Sequence, residues 1–264
     1  MDHRRNIFIY HQQQDQIKEK IQHLEETIKK YEFVLVDDYR KANIIASVGG
    51  DGTFLQAVRK SGFRNDCLYI GINSGDQQSL YSDFHIDDLE GMVEAFSNEN
   101  TEVRRYPTIE VVIDDEPPFY CLNECTVRSS IVKTFELDVC IDDFHFETFR
   151  GDGIVISTPT GSTAYNKSIG GAVVDPLLPS FQVTELASLN NNQYRTLGTS
   201  FILSGNHSLT LVIRRNHFPI VSMDNEALAI SRVEKVHVKL SNKQIKTIKL
   251  KNNSFWHKVQ RTFL

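Results

Sequence analysis

Residues 43–56 read NIIASVGGDGTFLQ. The apolar run at the start predicts a buried strand, "NIIASV" (43–48), and "TFLQAVRKSG" (53–62) predicts a helix that stops at Gly62. Between them stand Gly49, Gly50, Asp51 and Gly52. Glycine leaves backbone N–H groups unshielded and adopts angles that other residues resist. The helix N-terminus adds the positive end of its dipole. Such a turn suits a phosphate. A carboxylate inside it makes sense if it accepts a proton from a hydroxyl or faces a metal. Asp51 as a plain helix N-cap is the other reading, and the pattern leaves both open. No GxxxxGK[ST] is present and the turn holds no lysine, so it is not a P-loop.

The flanks repeat the strand–helix alternation. "NIFIY" (6–10), "FVLV" (33–36) and "CLYIGI" (67–72) predict strands, the last two buried. Ile17, Ile21, Leu24, Ile28 and Tyr31 recur at helical spacing, and "DDLEGMVEAFSNE" (87–99) predicts a further helix. Residues 1–102 therefore predict an α/β domain with a mainly parallel sheet covered on both faces. Near residue 103 the pattern changes. "TIEVVIDDEPPFYCLNECTV" (108–127) predicts two strands around an acidic, proline-bearing turn, and "FELDVCIDDFHFETF" (135–149) repeats the idea around Asp142–Asp143. "SFILS", "LTLVI", "PIVSM", "KVHVKL" and "IKTIKL" are short and strand-like, and one helix is expected after the turn at 159–162. Residues 103–264 predict a β-rich second domain. Its end, "SFWHKVQRTFL", is expected as a short helix or an arm, with 250–264 able to pack back on the first domain.

Composition narrows the class. The 264 residues are 40% hydrophobic and 24% charged, as in ordinary globular proteins. A net charge of −5 argues against a nucleic-acid binder that relies on bulk positive charge. Cys67, Cys121, Cys125 and Cys140 form no CxxC and no zinc-like spacing, and they read as buried thiols of a reducing cytosol. The start, "MDHRRNIFIYHQQQ", carries an apolar run too short for a signal peptide or a membrane span. A cytoplasmic protein with no nucleic-acid or membrane partner is expected.

Two more stretches carry chemistry. "FRGDGIVISTPTGSTAYNKSIGGAVVDP" (149–176) has five glycines and many hydroxyls. Ser157, Thr158, Thr160, Ser162, Thr163 and Tyr165 could bond a polar ligand; the plainer reading is a turn-rich loop followed by a helix N-cap at Ser162 or Thr163. "LNECTV" (122–127) places Asn123 and Glu124 inside a β pattern, either as binding groups or as an exposed strand end.

Taken together, "GGDGT" (49–53), "NE" (123–124) and "GDGIVISTPTGSTAYNKSIGG" (151–171) resemble the signatures of the NAD kinase family, in order and approximate spacing. The resemblance covers nearly the whole chain. It implies an α/β N-terminal domain plus a β-rich C-terminal domain of the NAD kinase/diacylglycerol kinase-like fold. It also implies ATP-dependent transfer of phosphate to the 2′-hydroxyl of NAD's adenosine ribose, giving NADP, with inorganic polyphosphate as the other possible donor.

By the same resemblance Asp51 accepts or orients the hydroxyl proton, and Gly49, Gly50, Gly52 and Thr53 form the donor turn. Mg²⁺ or another divalent cation accompanies ATP, with no protein ligands assigned. Asn123 and Glu124 match the adenosine-binding pair. Thr163, Ala164 and Tyr165 match residues around the adenine, with Asn166, Lys167 and Ser168 further along. Arg150 and Asp152 match positions near the pyrophosphate and nicotinamide, Ala187 in "ELASLNN" matches a further NAD contact, and Glu226 in "VSMDNEA" a weaker one. A homo-oligomer is implied, as a tetramer with shared sites. Reaching the far end of the extended dinucleotide from the chain that carries Asp51 is difficult, so a partner chain is expected to supply Asp152.

One loop departs from the family pattern. Where Gly-x-Leu-Gly-Phe is typical, "GINSGDQQSLYSDF" (71–84) has Gln78-Ser79-Leu80, and Tyr81 remains. The resemblance implies that this loop covers the adenine. Two rivals stand beside the kinase of NAD. A lipid or other small-alcohol kinase would share the GGDGT turn, but here Phe54-Leu55-Gln56 follows instead of xNE. A non-catalytic NAD-binding sensor would not need Asp51.

Overall fold

The computed structural model describes residues 5–12, 17–131, 134–214, 217–228 and 232–264. Two compact units form, Met1–Tyr106 with Lys243–Leu264, and Pro107–Asn242. The chain passes from the first to the second within the strand Thr101–Ile113 and returns within the strand Lys235–Leu250. "KVHVKL" and "IKTIKL" are thus one strand, and the return to the first unit begins at residue 243.

The first unit is built on a parallel sheet. Val34–Leu35 pairs with Asn6–His11, then come Ile44–Val48 and Leu68–Asn73, and Thr247 pairs beside Tyr69. Ile45, Ala46, Ser47 and Val48 are all buried, as a strand covered on both faces requires. The helix Lys18–Lys30 buries Ile21, Leu24 and Ile28, and Leu89–Ser97 buries Leu89, Met92 and Ala95. These side chains share one core with Ile7, Ala46, Val48, Ile70 and Ile72. The helix Asp51–Lys60 buries Phe54, Ala57 and Val58. "FVLV" is not the buried strand expected: it keeps only Val34–Leu35, with Val34 53% exposed, because it pairs on one side alone. The C-terminal helix runs Phe255–Phe263.

The second unit packs antiparallel strands on antiparallel strands. Phe144–Gly151, Phe135–Ile141, Ser208–Ile213 and the start of Lys235–Leu250 pair in that order. A second sheet runs Phe201–Ser204, Ser180–Leu186, Gly153–Ser157, Glu124–Ser129, Pro219–Met223 and Glu226–Ala227. Leu137, Val139, Phe149 and Leu211 from the one meet Val127, Ile154, Ile156 and Phe181 from the other in a single core. Gly153–Ser157 is central and wholly buried, and its last residue, Ser157, sits opposite Glu124. The register therefore delivers the loop after Ser157 to the Asn123–Glu124 corner. The helix expected after 159–162 is only Tyr165–Ser168, after a 3-10 turn over Thr160–Thr163. Ala164, at ψ −131°, separates the two, and Gly170 and Gly171 follow.

Candidate active-site elements

In the first unit the glycine turn connects the strand Ile44–Val48 to the helix Asp51–Lys60. Gly50 is the N-cap residue and Asp51 the first residue of the helix, so Asp51 is not its cap. Instead, Asp51 faces the 79–81 segment. Its Oδ2 accepts the Leu80 N–H at 3.0 Å, and its Oδ1 accepts the Tyr81 N–H at 3.1 Å and the Ser79 hydroxyl. An ionised carboxylate offers about four acceptor positions. Two are taken on Oδ1 and one on Oδ2, so the remaining lone pair is on Oδ2. Gly49, at φ +148°, has no room for a side chain, since a Cβ would stand 2.4 Å from the Thr53 hydroxyl. Gly50 and Gly52 differ: a Cβ on either would meet nothing within 4 Å. Their backbone borders open space that a phosphate could enter.

The segment that grips Asp51 is itself fixed. The Tyr81 ring stacks on Phe54 at 4.8 Å, and the Ser82 N–H donates to the Ser79 hydroxyl oxygen at 2.8 Å. Below it lie Asp83, Lys249 and Lys258, all buried. Ser79 stands in the stretch that departs from the family pattern; no sequence signal announced its contact with Asp51, or the two lysines.

In the second unit Asp224 organises the Asn123–Glu124 corner. Its carboxylate accepts the N–H groups of Leu122, Asn123 and Glu124 at 2.9, 2.7 and 3.3 Å. Asp224 and Asn225 have φ of +47° and +67° in the turn between Pro219–Met223 and Glu226–Ala227. In "VSMDNEA" the residue that does this work is therefore Asp224, while Glu226 is exposed. The Asp-Asn pair, a familiar turn signal, could have pointed to it.

The loop after Ser157 locks onto the same corner. Thr158 donates its N–H to Asn123 O at 2.8 Å and its hydroxyl to Leu122 O at 2.6 Å. Gly161 lies so close that a Cβ there would be 2.1 Å from Asn123 O. Most of the loop's hydroxyls bond within the protein: Ser157 to Thr158 O, Ser162 to Pro159 O and Thr163 to Thr160 O. Asn166 is buried, bonding Ser162 O, Ala172 O and the Thr184 hydroxyl. None of these hydroxyls caps the Tyr165 helix, whose N-cap is Ala164. At this corner Thr160 Oγ1 and Glu124 Oε2 are buried polar atoms with no partner among the described residues. Burial, and then the charge of Asp224, push the Glu124 carboxyl up to about 8. Ala164 and Tyr165 are half-buried, while Lys167 and Ser168 are exposed.

The other expected positions form a separate patch of this unit. Asp152 and Ala187 line one cavity with Arg128, Ser129 and Leu189. Arg150 turns to Glu136 at 2.6 Å and lies over the Tyr194 ring at 4.2 Å. Among the described residues no group of three or more His, Cys, Asp or Glu could hold a metal ion, and no helix is long and apolar enough to cross a membrane.

The chain is similar to known proteins. The profile of the ATP-NAD kinase C-terminal domain matches residues 122–250. The chain is 59% identical to NAD kinase 2 of Bacillus subtilis (strain 168), over 100% of this chain and 99% of that protein. It is 57% identical to NAD kinase 2 of Geobacillus kaustophilus (strain HTA426), over 100% of both. Among solved structures, yeast NADH kinase complexed with NADH superposes with a TM-score of 0.79 at 19% identity, covering 97% of this chain and 86% of that one. An NAD kinase from Archaeoglobus fulgidus in complex with ATP gives 0.77 at 22%, covering 97% and 98%. At those identities the likeness concerns the fold.

Proposed function

The chain belongs to the NAD kinase family, and from that premise we propose that it transfers the γ-phosphoryl group of ATP to the 2′-hydroxyl of NAD's adenosine ribose, releasing NADP. The observation that carries the reading within this chain is the carboxylate of Asp51. It stands at the head of the glycine turn, oriented by donors that leave a lone pair on Oδ2. A ribose hydroxyl is a weak nucleophile, and that lone pair accepts its proton as the new P–O bond forms and the bond between the γ-phosphorus and the β-phosphate oxygen breaks, releasing ADP. The open backbone at Gly50 and Gly52 lets donor phosphates come close to the helix N-terminus.

A divalent cation, Mg²⁺ in the simplest case, would be held by the donor's phosphates, with no protein ligands assigned, and would supply neutralisation of their charge. Polyphosphate offers the same chemistry as ATP. In the second unit, Glu124 Oε2 and Thr160 Oγ1 are buried polar atoms without partners at the Asn123–Glu124 corner, and an adenosine brings donors and acceptors to satisfy them. The half-buried Tyr165 ring is assigned to the base.

A homo-oligomer, a tetramer in this reading, has a partner chain supply Asp152. Complementation between Asp51→Asn and Asp152→Ala chains after subunit exchange tests that assignment. Cys67, Cys121, Cys125 and Cys140 stand outside any disulfide, as suits a cytoplasmic enzyme. Incubation with ATP, Mg²⁺ and NAD is the direct test of function. NADP should form in proportion to ATP consumed. NAD binding without NADP formation would make the chain a sensor instead.

A further inference from the structure

Asp83 has no exposed side-chain surface, and two lysines converge on it. Lys258 is in direct contact, Lys249 at 3.9 Å, and their side chains are 2% and 0% exposed. Asp83 also accepts the Leu250 N–H at 2.8 Å and the Asn253 side-chain amide at 3.0 Å. One lysine would suffice for an ion pair, and burying a second is costly. Burial, and then repulsion from Lys258, push Lys249 well below the ordinary lysine range. The second lysine therefore calls for a role, and the hydrogen bonds of both supply one.

Lys258 Nζ donates to Leu80 O at 3.0 Å and Ser82 O at 3.4 Å, and Lys249 Nζ donates to Tyr81 O. Each carbonyl shares a peptide plane with the next N–H. Leu80 O is joined to the Tyr81 N–H, which donates to Asp51 Oδ1 at 3.1 Å. Tyr81 O is joined to the Ser82 N–H, which donates to Ser79 Oγ at 2.8 Å. The Ser79 hydroxyl, accepting on its oxygen, directs its proton to the same Oδ1. Two relays, each one peptide long, thus run from buried lysines to one oxygen of Asp51. Hydrogen bonds in such chains polarise and strengthen one another.

We infer that Lys258, carried on the C-terminal helix Phe255–Phe263, is a positioning residue for phosphoryl transfer, acting through the Leu80–Tyr81 peptide to hold Asp51 Oδ1 and leave Oδ2 to the ribose hydroxyl. Lys249 and Ser79 form the parallel relay. The inference rests on Asp51 as the proton acceptor.

The test is Lys258→Met in the full-length chain, read in two ways. The kcat for NADP formation should fall about tenfold, with KM for NAD and ATP moved by less than about twofold, because orientation of the catalytic group is lost and not binding. Amide exchange at Tyr81 and Ser82 should quicken about tenfold, a readout independent of activity. A folded variant with wild-type kcat overturns the proposal even if it melts earlier, since a purely structural lysine would give that result. So does a loss seen only in KM.

Should the variant not fold, Asn253→Ala removes the amide donor to Asp83, together with the acceptor of an exposed Arg261 hydrogen bond, and leaves both lysines in place. It should lower kcat about threefold with KM unchanged, and wild-type kcat there counts against the proposal. Asp51→Asn run alongside separates the two failures. Retained turnover in that variant removes Asp51 as the acceptor, while the exchange data still decide whether Lys258 holds the segment.

Discussion

Asp51 and Glu124 are both carboxyl groups beside a glycine-bearing loop, yet the protein treats them in opposite ways. Around Asp51 three donors converge, and buried lysines back two of the groups that take part. Around Glu124 the backbone N–H groups turn to Asp224, leaving Oε2 buried without a partner and the carboxyl pushed up to about 8. A group whose orientation must already be right when substrate arrives is held by the protein. A group whose partner is the substrate is left unsatisfied at some cost in stability. The first arrangement suits proton transfer, the second recognition.

The comparison can be broken at its tightest point. Gly161→Ala would drive a methyl group to 2.1 Å from Asn123 O and 2.5 Å from its carbonyl carbon, and backbone cannot step aside as a long side chain can. Unfolding by denaturant should show a loss of about 3 kcal/mol. A loss below about 1 kcal/mol would mean that the Asn123–Glu124 corner is loosely held after all.

Glu124→Gln sharpens the contrast through pH. The ordinary value of 4.5 applies when the chain is unfolded, and about 8 when it is folded. Between those values the folded state binds the extra proton. Stability is therefore fully present below about 4.5 and lost as pH rises toward about 8. From pH 5 to pH 7 this group should cost the wild type roughly 2 kcal/mol. Glutamine carries no such dependence. The variant should gain stability over the wild type as pH rises from 5 to 7, and bind NAD more weakly. A difference that is the same at both pH values would contradict the buried, unpartnered carboxyl.

The smallest expected effect is at Gly50, on the Asp51 side. Alanine fits its backbone at φ −81° and meets nothing within 4 Å, so stability should change by less than about 0.5 kcal/mol. The methyl group would, however, occupy space assigned to donor phosphate, and KM for ATP should rise about tenfold, or roughly 1.4 kcal/mol. An unchanged KM would detach the phosphate from this turn.

Much of this was legible in the residues. The strand–turn–helix around Gly49–Thr53 is local, and its apolar runs and glycines state it directly. The β-rich second unit showed in its alternating strands. The family signatures led to Asp51 and to the Asn123–Glu124 corner. What the sequence hid was non-local. Asp224 meets Leu122, Asn123 and Glu124 only because Pro219–Met223 pairs with Glu124–Ser129, across about a hundred residues. Lys258 reaches Leu80 over a separation of 178. Neither pairing follows from any periodicity. Ser79 was visible only as a departure from a pattern. The hydroxyls of Ser162 and Thr163 suggested a cap or a ligand site, yet both are spent on the loop's own carbonyls, a choice set by turn geometry.

The central claim is that Asp51 is the proton acceptor in phosphoryl transfer to NAD. It is tested most directly by comparing Asp51→Asn with the wild type, measuring NADP formation from ATP, Mg²⁺ and NAD and, by calorimetry, NAD affinity. Asparagine keeps the shape of the side chain and removes the basic oxygen. Turnover should fall at least ~10²-fold while NAD still binds. Turnover near the wild-type rate would contradict the claim.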